Sequence, residues 1–229
     1  MNIRNKTSMA AGLVLALATL PTVQAAELKA FNANYRANYN NMAANATMSL
    51  APAGANRWTY SMKVQNALVQ LDRSSTVDAS GSQLRPVGNR ETINMLVKKK
   101  SKQTSFDWSG GQATWSGDVK ADRRGPVKLQ AGDVDGMTLN LAIVRDALAG
   151  KPMRYRLIEN GKAKPLAFTS AGKESVTVEG KAMQATKVTG NDGDSRMTLW
   201  VVDGIPVPVR IQQKDDDGDT IDLRLQSMR

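Results

Sequence analysis

Four aspartates stand close together near the end of the sequence, in the segment KDDDGDT at residues 214–220. Clustered carboxylates are ligands that calcium prefers, and an EF-hand loop arranges them around a central glycine with a bidentate glutamate at its last position. With Gly218 as the central glycine, Gln213 takes the first ligand position and Arg224 takes the last, where its charge repels a cation. The segment is therefore predicted to form a tight turn between two strands, and no metal site is predicted.

Several kinds of catalysis are excluded because the sequence has no cysteine and no histidine. Thiol nucleophiles, Ser-His-Asp triads and histidine-ligated metals all need one of these residues. Ser170 and Lys173 have the S-x-x-K spacing of some serine acyl enzymes, but that chemistry needs both residues on one helical turn. Alternating apolar residues on both sides instead predict a strand-to-strand turn at Gly172. No nucleotide-binding glycine motif occurs, and no cofactor is predicted.

Carboxylates remain as candidates for acid–base chemistry. A hydrolase that acts on envelope polymers could use two of them, one as acid and one as base or nucleophile. Asp107 lies between two aromatic residues, while Asp133 and Asp135 precede a predicted helix. For Asp107 the alternative is a residue of an aromatic hairpin that contributes only to sheet packing.

A second group of residues could bind an apolar ligand. Large apolar side chains on the inner face of a curved sheet can line a ligand site, and the many methionines add adaptable apolar volume. The same side chains could also be ordinary core. The candidate ligand-binding residues are Trp58, Tyr60, Phe106, Trp108, Met137, Leu141 and Trp200.

The elements that position these residues are mostly strands. Apolar and polar residues alternate in segments such as 30–39 and 56–72, and turn sequences containing Gly, Asn or Asp separate them. The pattern predicts a mainly β protein, a curved antiparallel sheet or a partly open, spiral β-barrel of about 11 to 14 strands. One helix is predicted at about residues 136–149, with Asp133 or Asp135 as its N-cap and Gly150 at its exit. It would cover the apolar face of the sheet.

The first 25 residues predict export. Arg4 and Lys6 precede a short apolar run and a small-residue exit, which is typical of a secretory signal peptide cleaved after Ala25. Residues 26–229 are predicted to be a single β-rich domain without a transmembrane segment, located in the periplasm. The net charge is +10, but export argues against nucleic acid as a partner. The basic cluster at residues 98–102 fits either a solvated strand or an anion-binding patch.

Residues 26–229 resemble an exported bacterial family, domain of unknown function 3108. The resemblance lies in the order of segments: FDW before a glycine turn, Asp135-Gly136 opening a short helix, and then LWVVDGIPVPVRI at residues 199–211 before a final strand. It implies a secreted or envelope protein built of antiparallel strands, and it implies no activity. By architecture it is also similar to periplasmic proteins whose curved sheets hold a lipid.

The leading hypothesis is a non-catalytic periplasmic envelope protein that binds a lipid-like ligand or a protein partner on its curved sheet. The alternatives are the carboxylate-dependent hydrolase and a structural or scaffolding envelope protein. A bound lipid would favour the first hypothesis, and activity controlled by two carboxylates would favour the second.

Overall fold

A computed structural model describes residues 28–193 and 195–229. The predicted signal peptide lies outside these residues. The described residues form one sheet of fifteen strands, one α-helix and a short 3-10 helix at Ala121–Arg123. The strands are β1 (Phe31–Tyr39), β2 (Met42–Pro52), β3 (Arg57–Gln65), β4 (Val69–Asp78), β5 (Arg85–Met95), β6 (Lys98–Asp107), β7 (Gln112–Gly117), β8 (Val127–Lys128), β9 (Asp133–Val134), β10 (Met153–Glu159), β11 (Lys162–Val178), β12 (Lys181–Asp192), β13 (Ser195–Val201), β14 (Arg210–Asp215) and β15 (Thr220–Met228). The helix, α1, spans Gly136–Leu148.

The sheet is open, because its two outermost strands do not pair with each other. Its order is β8-β7-β6-β5-β4-β3-β2-β1-β15-β14-β13-β12-β11-β10-β9. Neighbouring strands are antiparallel except β9 and β10, which are parallel. The predicted mainly β, curved and incompletely closed fold is confirmed, and the strand count exceeds the predicted range because β8 and β9 have only two residues each.

Side chains join the two ends of the sheet where strand pairing does not. Arg156 Nη2 in β10 donates a hydrogen bond of 3.0 Å to the carbonyl of Lys128 in β8. Gly161, in the turn after β10, has a φ of +72°, and a Cβ there would lie 2.6 Å from the backbone of Arg123. This approach is open to glycine because it has no side chain. We call this line of contacts the seam.

The alternating pattern of the strands places one face of the sheet in the core. In β1 the side chains of Phe31, Ala33 and Tyr35 are buried while their neighbours are exposed, which is the period of two expected of a half-buried strand. The main core lies between this face and α1. A second, smaller core joins Phe106 and Trp115 to Ile158, and so packs β6 and β7 against β10 across the seam.

The predicted helix is confirmed, and the structure decides which residue caps it. Asp135 is the N-cap, and its Oδ1 accepts a hydrogen bond of 2.7 Å from the amide of Thr138. Gly150 follows the helix with a φ of +63°, the left-handed conformation common at helix ends. Most of α1 is buried, so the helix covers the sheet as predicted.

One turn prediction is wrong. Residues 170–173 do not reverse the chain but form a bulge inside β11, whose pairing with β12 shifts between Ser170 and Lys173. Gly172 takes a φ of +90° there. A bulge uses the same left-handed glycine as a tight turn, so the local sequence does not distinguish the two. Ser170 and Lys173 therefore lie on a strand, without the helical turn that S-x-x-K chemistry requires.

Candidate functional site

An apolar groove lies beside α1, at the end of the sheet where β1 begins and β2 ends. It has a volume of about 300 Å³. Its walls come from distant parts of the chain, namely α1, the segment before β1, the end of β2, the segment before β5 and the loop between β13 and β14. We call it the α1 groove. Its apolar lining consists of Leu28, Leu50, Leu84, Leu141, Val144, Leu148, Ile205 and Pro206.

Helix α1 supplies one wall of the groove through residues that share one face. Leu141, Val144 and Leu148 are spaced by three and four residues, so they lie one above another along the helix. Leu141 and Val144 are almost fully buried, whereas 42% of the Leu148 surface is exposed. The helix therefore presents a firm apolar wall with an accessible apolar side chain near its C-terminal end.

A charged network holds the polar edge of the groove in place. Arg145 Nε lies 2.8 Å from Asp146 Oδ1, and Arg145 Nη1 donates a 3.2 Å hydrogen bond to the carbonyl of Ser82. The Tyr155 hydroxyl donates a 2.9 Å hydrogen bond to the second oxygen of Asp146. Burial raises the pKa of Tyr155, and the nearby Asp146 carboxylate raises it further. The phenol therefore stays a neutral donor and helps to orient the carboxylate that holds Arg145.

A second cavity, of about 500 Å³, adjoins the α1 groove. The two share Leu84 and Arg145 in their linings. Lys151 and Arg154 add two exposed cations to this second cavity, against the single Asp146 carboxylate that Arg145 already engages. We call it the basic cavity. An apolar space and a cationic space thus meet at one wall, an arrangement that suits a ligand with an apolar part and an anionic part.

The candidate catalytic carboxylates all have structural partners. Asp107 is exposed and accepts hydrogen bonds from Gly110 N at 2.8 Å and Ser109 Oγ at 2.7 Å, which lower its pKa. Asp133 is buried and pairs with Arg156 at 2.6 Å. Asp135 caps α1 and also accepts from Asn89.

Asp135 lines a cavity of only about 20 Å³, enough for about one water molecule. That space is too small for a polymer substrate. The geometry of these carboxylates therefore does not favour the hydrolase hypothesis.

The same small cavity contains a charged cluster that the sequence did not indicate. Glu91 is 7% exposed and forms ion pairs with Arg73 and, at 3.0 Å, with Lys102. Lys102 Nζ also donates to Asn160 Oδ1 at 3.0 Å, across the seam. Burial raises the pKa of Glu91, but the attraction of Arg73 and Lys102 outweighs it, so the net pKa is lowered. Lys102, unlike the other lysines of the predicted basic cluster, therefore has a structural role in this network.

The aspartate-rich segment is a hairpin, as predicted. β14 and β15 pair on either side of it, Gly218 N donates 3.0 Å to the carbonyl of Asp215, and Gly218 has a φ of +96°. The carboxylate of Asp219 accepts hydrogen bonds from Tyr39 and Asn40. Within residues 28–193 and 195–229, no group of three or more acidic side chains is arranged to hold a metal ion.

A sequence model of one protein family, described as protein of unknown function (DUF3108), matches residues 31–226. The chain belongs to the DUF3108 family. None of the curated proteins compared with the chain matched it. The match confirms the family that the sequence resembles, and it indicates no catalytic family.

A solved structure shares the fold of this DUF3108 chain. It is titled as the crystal structure of a beta-barrel-like protein of domain of unknown function DUF1849 from Brucella abortus. The TM-score is 0.56 at 10% sequence identity, over 87% of this chain and 97% of the other. At this identity the likeness shows the fold alone.

In the described part of the DUF3108 chain, no helix is long and apolar enough to cross a membrane.

The seven predicted ligand-binding residues of the DUF3108 chain are divided between the main core and the second core. Tyr60, Met137 and Leu141 are buried in the main core, and Trp58 packs against it half-buried. Of the seven, Leu141 lines the α1 groove. Burial raises the pKa of Tyr60, whose hydroxyl lies 3.4 Å from Met48 Sδ. The role of these residues in ligand binding stays a prediction.

The other three predicted residues lie away from the groove. Phe106 belongs to the second core, where Trp108 packs against it and donates a 2.7 Å hydrogen bond to the carbonyl of Pro86. Trp200 is buried in the main core, and the guanidinium of Arg210 lies 4.5 Å from the centroid of its ring, with the Lys187 ammonium also over the ring. Sequence reasoning missed Leu28, Leu84 and Ile205, because only the folded sheet brings these isolated apolar residues to α1.

Proposed function

We propose that this DUF3108 protein is a non-catalytic protein of the cell envelope that binds an amphipathic, lipid-like ligand with an anionic head. The apolar chain of the ligand lies in the α1 groove, and its head lies in the basic cavity. One observation carries the proposal: the apolar groove and the cationic cavity share the wall formed by Leu84 and Arg145.

The dimensions and chemistry support such a ligand. Binding sites for small molecules have volumes of about 300 to 1,000 Å³, are mainly apolar, and contain a few placed polar groups. The groove and cavity, at about 300 and 500 Å³, lie in that range. Arg145 is held by Asp146 and the carbonyl of Ser82, so its guanidinium needs little reordering to meet an anionic head.

Export to the periplasm is part of the proposal and rests on the charged start, the apolar run and the small-residue exit of residues 1–25. A periplasmic protein lies between two membranes and meets lipids and lipoproteins there. A binding protein for apolar chains is useful there because such chains are insoluble in water.

Native mass spectrometry of protein purified under mild conditions from its own cells tests the proposal. The expected result is a bound species with the mass of a lipid. A fluorescent fatty acid, which has an apolar chain and a carboxylate head, should bind the emptied protein, and the corresponding fatty alcohol should bind more weakly. A ligand-free mass together with no binding of the fatty acid would refute the proposal.

Two neighbouring substitutions provide a matched pair for the same assay. Leu148→Arg places a charge in the groove, and it is compatible with folding because Leu148 is partly exposed and a cation is favourable in the last turn of a helix. It should weaken binding of the fatty acid about tenfold or more. Ala149→Arg adds the same charge one residue later, outside the groove lining, and should leave binding unchanged.

A further inference from the structure

Exposed apolar side chains are concentrated at one end of the sheet, opposite the α1 groove. The described residues include nine exposed large apolar side chains, and eight of them lie at or beside the hairpin turns of this end. The ninth, Leu148, belongs to the groove. Single exposed apolar residues are normal on a protein surface, but contiguous groups of them mark interaction sites. This distribution therefore indicates an interaction surface.

The group is most exposed at the turn between β5 and β6. Leu96 is 77% exposed and Val97 is 98% exposed. Met95 pairs with Val69 of the neighbouring strand, and Leu68 precedes Val69 in the turn between β3 and β4. Two adjacent hairpins therefore present five exposed apolar residues side by side. We call these five residues, 68–69 and 95–97, the apolar tip.

Turn geometry does not account for Leu96 and Val97. Two-residue hairpin turns favour Asn and Gly because their backbones readily adopt positive φ. This sheet follows that rule at Asn160-Gly161, with φ values of +50° and +72°, and at Glu179-Gly180, with +51° and +75°. Leu96 and Val97 take the equivalent place without positive φ. The backbone of this turn therefore accepts most residue types, and nothing in its geometry requires two apolar side chains.

Three exposed cations follow the apolar tip directly, at Lys98, Lys99 and Lys100. The same end of the sheet also carries the acidic hairpin at residues 215–219, but β4, β3, β2 and β1 separate β5 from β15. One side of this end is therefore apolar and basic, and the other side is acidic. An anionic surface would attract the first side and repel the second.

We infer that the apolar tip inserts into the surface of a bilayer that contains anionic phospholipids, with Lys98, Lys99 and Lys100 on the phosphate groups. Interfacial binding combines shallow burial of apolar side chains with attraction of basic residues to anionic lipid. A membrane fits better than a protein partner, because a stable protein interface buries an extended surface of about 800 Å² on each side, whereas this patch consists of two narrow protruding turns. The inference does not depend on the ligand proposed above.

Binding to vesicles tests the inference with protein purified from cells that express the full sequence. Cosedimentation is expected with vesicles of equal parts phosphatidylcholine and phosphatidylglycerol, and much less with phosphatidylcholine alone. Leu96→Ser combined with Val97→Ser should weaken binding about tenfold without changing the charge. Replacing Lys98, Lys99 and Lys100 by Gln should weaken it similarly and remove most of its dependence on salt. Ile221→Ser, an exposed apolar residue beside the acidic hairpin, is the matched control and should bind normally.

The absence of cysteine from the sequence allows a more direct measurement. A polarity-sensitive dye attached to Val97→Cys reports on the tip alone, and the same dye on Asp216→Cys reports on the acidic hairpin. Anionic vesicles should shift the emission of the first dye to the blue and leave the second unchanged. Equal shifts at both sites, or none at Val97→Cys, would overturn the inference. The inference would also be overturned if the wild-type protein did not bind vesicles and the dye at Val97→Cys shifted its emission only when another protein was bound.

Discussion

The hydroxyl of Tyr155 in β10 donates a hydrogen bond of 2.9 Å to Asp146 Oδ2 in α1. This contact connects the helix to a strand near the seam and fixes the carboxylate that holds Arg145. The partly buried phenol and the buried carboxylate would each lose a polar partner if the bond were broken, and an unsatisfied buried group is costly. The wall between the α1 groove and the basic cavity therefore depends on a residue outside the helix.

Tyr155→Phe should lower the free energy of unfolding by about 1 kcal/mol, because it removes this bond and leaves Asp146 with one partner fewer. Urea denaturation at neutral pH measures the change. Tyr39→Phe is the matched control, since Tyr39 also donates 2.9 Å to an aspartate, Asp219, but does so at the surface. It should produce no measurable change. Equal losses in the two variants would contradict a special role for the Tyr155 contact.

The Glu91 cluster should make stability depend on pH on the acid side. The pKa of Glu91 is lowered in the folded protein, because attraction by Arg73 and Lys102 exceeds the effect of burial. A carboxylate with a lowered folded-state pKa stabilises the protein above its unfolded pKa, about 4.3, and loses this contribution as pH falls through the folded value.

Comparison of the wild-type protein with Glu91→Gln tests this dependence. The wild type should be the more stable at about pH 6, and the difference should shrink as the pH falls to about 3. Unfolding in urea at several pH values provides the measurement. A difference that stays constant over this range would show that Glu91 contributes through packing and not through its charge.

Asp135 should behave as a helix cap and not as a catalytic acid. Asp135→Ala should destabilise the protein by about 1 kcal/mol, because the amide of Thr138 loses its acceptor. Asp135→Asn should cost less, since asparagine is also a good N-cap and only the hydrogen bond from Asn89 loses its acceptor. Thermal unfolding distinguishes the two variants. Similar losses of stability in both would mean that the negative charge of Asp135 and its contact with Asn89, rather than its cap hydrogen bond, stabilise the fold.

Calcium should leave the melting temperature unchanged. The KDDDGDT segment is a hairpin whose Asp215 accepts from Ser195 and Gln213, and whose Asp219 accepts from Tyr39 and Asn40. These carboxylates already have hydrogen-bond partners, so binding of a cation to them would be only weakly favourable. Scanning calorimetry with and without millimolar calcium is the measurement. A rise of several degrees in calcium would show that the segment binds the ion.

Features that depend on local patterns were predictable from the sequence. Alternation indicated the strands, and the candidate N-caps Asp133 and Asp135 together with Gly150 indicated the bounds of α1. The Asn-Gly and Asp-Gly turns were found because their backbone requirements are local. The bulge at Gly172 was mistaken for a turn because both structures use a left-handed glycine, and only the pairing partner distinguishes them.

Features that depend on register or on distant segments were not predictable. Arg73, Glu91 and Lys102 become neighbours because they lie directly opposite one another in β4, β5 and β6. A shift of one residue in either pairing would separate them, and sequence alone does not determine that register. The α1 groove was even less predictable, because its residues come from separate segments that meet only when the sheet curves. The sequence therefore indicated Leu141 but not Leu84 or Ile205.

The α1 groove and the apolar tip lie at opposite ends of the same strands. A strand of nine residues such as β3 is about 30 Å long. A protein anchored by its tip would hold the mouth of the groove about that far out in the aqueous space. It could not draw a lipid straight from the bilayer that anchors it. Under the two proposals together, a lipid would have to reach the groove from the aqueous side, carried by a diffusing donor or supplied by a facing membrane.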